Sequence, residues 1–122
     1  MPQDRYLELS RAKVSPIDAP FDEGITTEAG MTLPFLVSRG WSGPSGQYIE
    51  QWSLRRGGTE VFHRGPEQYI RVRGMQAVSE HVDRVTEPIK LEPGSYRLVF
   101  IVEGRFMGAA DIEVMTSGNA AA

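Results

Sequence analysis

The sequence has 122 residues, of which 40% are hydrophobic and 24% are charged, a composition typical of one globular domain with its own core. The net charge of −3 and the pI near 5.4 argue against a general affinity for nucleic acid or for acidic membrane surfaces. The chain contains no cysteine, which excludes disulfides, thiolate catalysis, zinc–cysteine sites and iron–sulfur clusters.

Hydropathy bears on the location of the protein. Residues 1–6, Met-Pro-Gln-Asp-Arg-Tyr, are polar and lack the apolar run of a signal peptide. No segment approaches the roughly 18 apolar residues that span a membrane. We therefore expect a cytoplasmic protein of bacterial type.

The first third of the chain predicts two strands separated by a loop. Residues 6–14 form the first predicted strand. Residues 15–30 are rich in proline, glycine and carboxylates, which predicts an acidic loop. Its carboxylate spacing matches no calcium-binding loop. The second strand covers residues 31–39, and Pro34 within it indicates an edge or a bulge. The apolar residues proposed for one face of this strand are Met31, Leu33, Phe35 and Val37.

Residues 40–46, Gly-Trp-Ser-Gly-Pro-Ser-Gly, form the most turn-dense loop of the sequence. A tryptophan at the tip of such a loop exposes a large apolar body unless something covers it. Trp41 therefore either folds back to cap the core or contacts a ligand. In the second case, a small molecule or carbohydrate would bind to Trp41 and Tyr48.

The next strand is predicted over residues 47–55, with Tyr48, Trp52 and Leu54 on one face. Glu50 interrupts that face. It lies either at the solvent-exposed end of the strand or partly buried beside a partner such as an arginine. A hairpin at residues 56–59 leads to a return strand over residues 60–64.

The middle of the chain contains one clear strand and one ambiguous segment. Residues 69–74 alternate as a half-buried strand. Residues 75–84 are ambiguous, because Val78, Val82 and Val85 fit a helical stripe whereas the later residues fit extended structure. We favour extended structure from about Val82. Six arginines between Arg55 and Arg84 alternate with acidic residues, which is typical of a mixed solvated face.

The clearest element is the strand that follows the Pro93–Gly94 turn. Its apolar residues recur at every second position, the period of one strand face. A two-residue hairpin at Glu103-Gly104 leads to a last strand over residues 106–115. Residues 116–122 are predicted to be a disordered tail, which leaves residues 1–115 as a single domain. The alternating residues are Tyr96, Leu98, Phe100 and Val102, and in the last strand Ala110, Ile112 and Val114 are expected to face inward.

Two features resemble the immunoglobulin and fibronectin type III sandwiches. Trp52 corresponds in position to the core tryptophan of the third strand in those domains. The segment Leu91-Glu-Pro-Gly-Ser-Tyr96 is similar to their tyrosine corner, whose hydroxyl bonds back to the turn backbone. The resemblance implies an antiparallel, immunoglobulin-like β-sandwich of about seven strands. It implies little about function, since this fold hosts many unrelated ones.

No catalytic signature occurs in the sequence: it has no nucleophile elbow, phosphate loop, dinucleotide fingerprint or zinc-protease helix. The histidines, His63 and His81, are isolated, so we predict no metal site and no cofactor. We therefore expect a protein that is not an enzyme.

One feature points to binding. The strand over residues 96–102 is apolar on both faces, because Val99 and Ile101 lie opposite its core-facing residues. Met107 and Met115 are assigned to the same outer face of the neighbouring strand, and methionines suit an adaptable contact. Such a patch is usually covered. The cover is either the chain's own first strand or acidic loop, or a second subunit or other protein partner. The sequence thus favours a non-catalytic binding or assembly module.

Overall fold

The computed structural model describes residues 7–57 and 60–117, and ten strands lie within them. These residues contain no helix, so none of them forms a helix long and apolar enough to cross a membrane. The all-β prediction is confirmed. In chain order the strands are β1 (Glu8–Pro16), β2 (Ile25–Glu28), β3 (Met31–Thr32), β4 (Phe35–Ser42), β5 (Gly46–Arg56), β6 (Glu60–Arg64), β7 (Gln68–Val72), β8 (Ser79–Val85), β9 (Gly94–Val102) and β10 (Arg105–Thr116).

The strands form two sheets. The small sheet has the order β1-β4-β8, and both of its pairings are antiparallel. The large sheet has the order β3-β2-β10-β9-β5-β6, and β7 also pairs with β5. One pairing departs from the expected antiparallel arrangement, because β2 runs parallel to β10. The described strands also outnumber the seven expected, mainly because one predicted strand is divided and one lies in a predicted loop.

The core lies between the sheets and is built by the predicted alternation. In β9, the side chains of Tyr96, Leu98, Phe100 and Val102 are all buried. Burying a large apolar side chain contributes roughly 1.5–3 kcal/mol, so one face of this strand is a major source of stability. The strand has β10 on one side and β5 on the other, which places it inside the large sheet.

The strand predicted over residues 31–39 is two strands in different sheets. Thr32 belongs to β3 in the large sheet, whereas Phe35 begins β4 in the small sheet. The backbone N–H of Leu33 donates to Thr26, and Pro34, which has no N–H to donate, offers its carbonyl to Ile17. The chain therefore crosses from one sheet to the other at the proline that had indicated an irregularity.

The predicted acidic loop over residues 15–30 contains strand β2. Ile25 and Thr27 are buried, and Thr27 pairs with Thr116 of β10. Thr116 was assigned to a disordered tail, but it lies in β10, and the N–H of Ser117 donates to the carbonyl of Thr27 at 2.8 Å. Residues 118–122 of that tail, like residues 1–6, lie outside the described residues.

The ambiguous segment 75–84 contains a strand, β8, which begins at Ser79, earlier than Val82. Val78 and Val82 are exposed, whereas Val85 packs against the core, so the three valines that fit a helical stripe do not share one face. The hydrogen-bonded pairing with β4 decides the conformation here.

Two turn predictions agree with the structure. The hydroxyl of Tyr96 donates to the backbone carbonyl of Glu92 at 2.8 Å, which is the bond expected of a tyrosine corner. Glu103 and Gly104 have φ angles of 52° and 77°, as a two-residue hairpin requires. In the hairpin predicted at 56–59, residues 58 and 59 lie outside the described residues, and Arg56 pairs with Glu60 around them.

Candidate functional site

Trp41 and Tyr48, the proposed ligand contacts, do not form an exposed pair. Trp41 lies within β4, is fully buried, and packs its ring edge-on against Phe100 at 5.8 Å between centroids. Tyr48 is half-buried, and its hydroxyl donates to the carbonyl of Pro44 at 2.6 Å. Trp41 thus caps the core, which was the first of the two interpretations considered for it.

A buried ion pair joins the two sheets. Glu50 of β5 and Arg39 of β4 are both fully buried. The guanidinium of Arg39 binds both carboxylate oxygens, with Nε at 2.9 Å from Oε2, and Nη2 on Oε1. The indole N–H of Trp41 also donates to Glu50, at 2.9 Å. The carboxylate that interrupts the apolar face of β5 therefore has an arginine partner, as one of the two interpretations required.

Asp83 of β8 extends this network. Its carboxylate lies 3.1 Å from Nη1 of Arg39 and accepts hydrogen bonds of 2.8 Å from Trp52 and from Gln68. Burial alone would raise the pKa of Asp83, but the Trp52 hydrogen bond and the Arg39 charge outweigh it and hold that pKa below 3.8. Burial likewise acts to lower the pKa of Arg39. The hydrogen bond and the charge of Glu50 outweigh this effect of burial, so the pKa of Arg39 is raised. These groups stabilise one another, which is the pattern of a structural network.

A groove of about 480 Å³ lies beside Trp52, where β6 leaves the sheet. Its wall includes His63, whose ring is 5.7 Å from that of Trp52, and Glu87. Burial lowers the pKa of His63, while the charge of Glu87 acts in the opposite direction. His81 lies on β8 in the other sheet, with Nε2 3.2 Å from the carbonyl of Arg71. Among the described residues, no three histidine, aspartate or glutamate side chains are grouped to hold a metal ion.

The outer face of the large sheet carries several apolar side chains, with the half-buried Gln51 directly opposite Ile101 among them. Ile101 of β9 is directly opposite Phe106 of β10 and lies diagonal to Ile49 of β5, which is in turn opposite Tyr69 of β7. Tyr69 is 70% exposed and Phe106 is 64% exposed. Ile49 and Ile101 are half-buried, and the neighbouring Val99 is buried at 4% exposure. We call these five residues the outer apolar patch, in which Tyr69 and Phe106 provide the exposed surface.

Of the four residues predicted for such a patch, the structure brings together only two, Val99 and Ile101. Met107 packs against the core, so its assignment to the outer face is wrong. The register of β10 slips between Phe106 and Gly108, and this bulge turns Phe106 outward and Met107 inward. Met115 is exposed, but it pairs with β2 at the far end of β10.

Phe106, Ile49 and Tyr69 also lie on the outer face, but the sequence pattern did not predict them there. The signal for Phe106 was Gly108, since a glycine within a strand often marks a bulge. Ile49 and Tyr69 each have outward parity on their own strands, but only the pairing of β5 with β7 shows that they are neighbours.

The outer apolar patch is bordered by arginines. Among the described strand residues, four arginines and two carboxylates share this face by register. The former are Arg55, Arg64, Arg71 and Arg97; the latter are Asp111 and Glu113.

The first strand does not cover this face. β1 pairs with β4 in the small sheet, and Leu9 of β1 approaches Gly108 so closely that a Cβ there would lie 2.7 Å from its Cδ2. Gly108 is paired with buried Phe100, so Leu9 approaches from the core side. The high exposure of Tyr69 and Phe106 shows that no other described segment covers them. The alternative of a cover by the chain's own β1 is therefore wrong.

No protein-family model matches this chain, and no curated protein matches it. Solved structures do. An alkylpurine DNA glycosylase from Pseudomonas fluorescens, bound to DNA containing an abasic site analog, matches with a TM-score of 0.52 and 11% identity, over 89% of this chain and 30% of that one. A β-glucosidase from Listeria innocua matches with a TM-score of 0.48 and 12% identity, over 92% of this chain and 16% of that one.

An immunoglobulin-like protein from Pseudomonas aeruginosa is also among the matches, with a TM-score of 0.46 and 13% identity, over 89% of this chain and 96% of that one. The similarity concerns the fold alone. The chain spans less than a third of the length of the glycosylase and of the glucosidase that it matches.

Proposed function

We propose that this chain is a non-catalytic assembly module that binds a second copy of itself through the outer apolar patch. The observation that carries the proposal is the register that pairs exposed Tyr69 with Ile49, and exposed Phe106 with Ile101, at diagonal positions on the outer face of the large sheet. The outer face of an antiparallel sheet is ordinarily polar, and a contiguous exposed apolar surface marks an interaction site.

Charge favours a second copy as the occupant. Among the strand residues of this face, four arginines exceed two carboxylates. Glu103 in the adjoining turn adds a third carboxylate, which accepts a hydrogen bond from the N–H of Ile49 at 2.7 Å, so the face still has an excess of arginine, whereas the whole chain has a net charge of −3. Another copy therefore brings an excess of the opposite charge to the patch. Electrostatic complementarity of this kind directs association and sets its register.

The polar interior supports a role that is not catalytic. Glu50 and Arg39 are fully buried and bind each other, and Asp83 binds Arg39 and two neutral donors. Their hydrogen-bonding capacity is directed to partners within the fold. These residues hold the two sheets together.

The test is Ile101→Glu, with light scattering for mass and circular dichroism for folding. A carboxylate at this position has no partner once a second copy covers it, so the variant is expected to be a folded monomer. The matched control is Val82→Glu, which places the same charge on the outer face of the small sheet, where Val82 is 54% exposed. The control is expected to associate as the wild type does.

A wild type that stays monomeric at every concentration would contradict the proposal. Should Ile101→Glu fail to fold, Phe106→Ser provides the same test at a more exposed position. If neither variant changes the mass of a wild type that associates, another surface makes the contact.

A further inference from the structure

The segment between β1 and β2 presents a single exposed aromatic ring. Phe21 is 94% exposed, and therefore packs against no part of its own chain. It is the third residue of a β-turn that is closed by a 2.9 Å hydrogen bond from the N–H of Asp22 to the carbonyl of Ala19. Pro20 occupies the second position, where its fixed φ angle favours the turn. The ring is thus held outward by a preformed turn.

The residues around Phe21 are acidic. Residues 18–23, Asp-Ala-Pro-Phe-Asp-Glu, contain three carboxylates and no basic side chain. Asp18, Asp22 and Glu23 are all exposed, and across residues 7–57 and 60–117 none of them has a hydrogen bond or ion pair from its side chain. We call residues 18–23 the acidic turn.

We infer that the acidic turn of one copy docks on the outer apolar patch of another, with Phe21 placed between Ile101 and Ile49. This inference rests on the proposed self-association and names its two contacting elements. The turn supplies an aromatic ring surrounded by carboxylates, and the patch supplies apolar side chains bordered by arginines, so the two surfaces are complementary in hydrophobicity and in charge. Because Pro20 and the closing hydrogen bond already fix the turn, binding orders few further groups.

The same charges disfavour a face-to-face dimer. With Glu103 counted, each face has four arginines and three carboxylates, so two patches placed against each other would bring together eight arginines and six carboxylates. Like charges placed opposite one another oppose association. An acidic partner removes this repulsion.

The contact is heterologous, since the turn and the patch are different surfaces. Each copy then has one donor and one acceptor, and association continues beyond a dimer into a ring or an open chain. The assembly is also expected to weaken with salt, because exposed carboxylate–arginine pairs are screened.

The test uses two variants that each lack one element. Phe21→Ser removes the ring and keeps the patch, whereas Phe106→Ser weakens the patch and keeps the turn. Each alone is expected to associate at least about tenfold more weakly than the wild type in sedimentation equilibrium. An equimolar mixture is expected to form a dimer and stop there, because only one functional contact can form. Met75→Ser is the matched control, since Met75 is an exposed apolar residue outside both elements.

The outcomes separate this inference from the proposal on which it rests. If Phe106→Ser weakens association and Phe21→Ser does not, the patch binds a second copy by another surface and only the docking of the turn is overturned. If neither variant weakens association, both the docking of the turn and the proposed role of the patch are overturned. If the wild type stays monomeric and instead binds a single-stranded oligonucleotide in a manner that Phe106→Ser abolishes, the patch is a nucleic-acid surface and both fail. Loss of association in both variants, with dimers in the mixture and a decline from about 0.05 M to about 0.5 M NaCl, supports the inference.

Discussion

Gly65 lies against the ring of Trp52. A Cβ at this glycine would be 2.7 Å from Cδ2 of the tryptophan, closer than a carbon can approach without displacement, and the ring is fully buried. The N–H of Gly65 also donates to the carbonyl of Trp52 at 2.8 Å. The backbone that follows β6 can therefore pack directly on the core tryptophan only because residue 65 has no side chain.

Gly65→Ala is expected to destabilise the domain by about 1–3 kcal/mol, because the methyl group would overpack a rigid, buried ring. Urea unfolding measures the loss, and the tryptophan emission of the folded state should shift. Pro66→Ala, at the exposed neighbouring residue, is the control. A Gly65→Ala variant as stable as the wild type would contradict the close contact.

Tyr96→Phe is expected to reduce the free energy of unfolding by about 1–3 kcal/mol, since the buried corner loses the hydroxyl that binds the carbonyl of Glu92. The ring itself remains, with the guanidinium of Arg56 5.1 Å from its centroid, so packing is little changed. Denaturant unfolding at neutral pH checks the value. An unchanged midpoint would show that this hydrogen bond contributes nothing to stability.

Glu50→Gln is expected to destabilise the fold by about 3–5 kcal/mol, because it leaves the buried guanidinium of Arg39 without its main counter-charge. The matched control is Glu80→Gln, which removes the exposed ion pair with Arg11 and should change stability by about 0–1 kcal/mol. Thermal and urea unfolding of the two variants are compared directly. Equal losses would mean that burial of the Arg39–Glu50 pair has no energetic consequence.

Stability is expected to fall as the pH drops below 6.5, because burial lowers the pKa of His63 in the folded state. The unfolded chain then binds more protons than the folded one, so the contribution is complete above 6.5 and is lost as the pH falls through the folded value. His63→Gln should remove the pH dependence of the urea midpoint over this range. The loss of stability that is linked to protonation of Asp83 is expected at lower pH, below 3.8.

The strands with a regular period could be predicted from the sequence. In β9 every second residue from Tyr96 to Val102 is buried, and in β5 the same holds from Glu50 to Leu54, so the side-chain period indicates both the conformation and the core-facing side. Ser53 and Val99 are buried in addition, on the opposite face. The tyrosine corner and the Glu103–Gly104 hairpin follow from turn chemistry, which depends on neighbouring residues.

The features that depend on a distant partner could not be predicted. The bulge of β10 places Phe106 on the outer face and Met107 on the core, and it is defined by the register with β9. β2 has four residues and acquires its conformation from pairing with β10. The burial of Trp41 depends on Glu50, which reaches it from the other sheet. Only half of the predicted patch was therefore placed correctly.

The parallel pairing of β2 with β10 has a consequence for the order of folding. Thr27 donates its side-chain hydroxyl to the carbonyl of Met115, a residue 88 positions later in the chain. On the ribosome, β2 has emerged long before the strand that holds it has been made. The large sheet cannot be completed until Met115 has been synthesised, so the pairing of β2 with β10 has to wait for nearly the whole described chain.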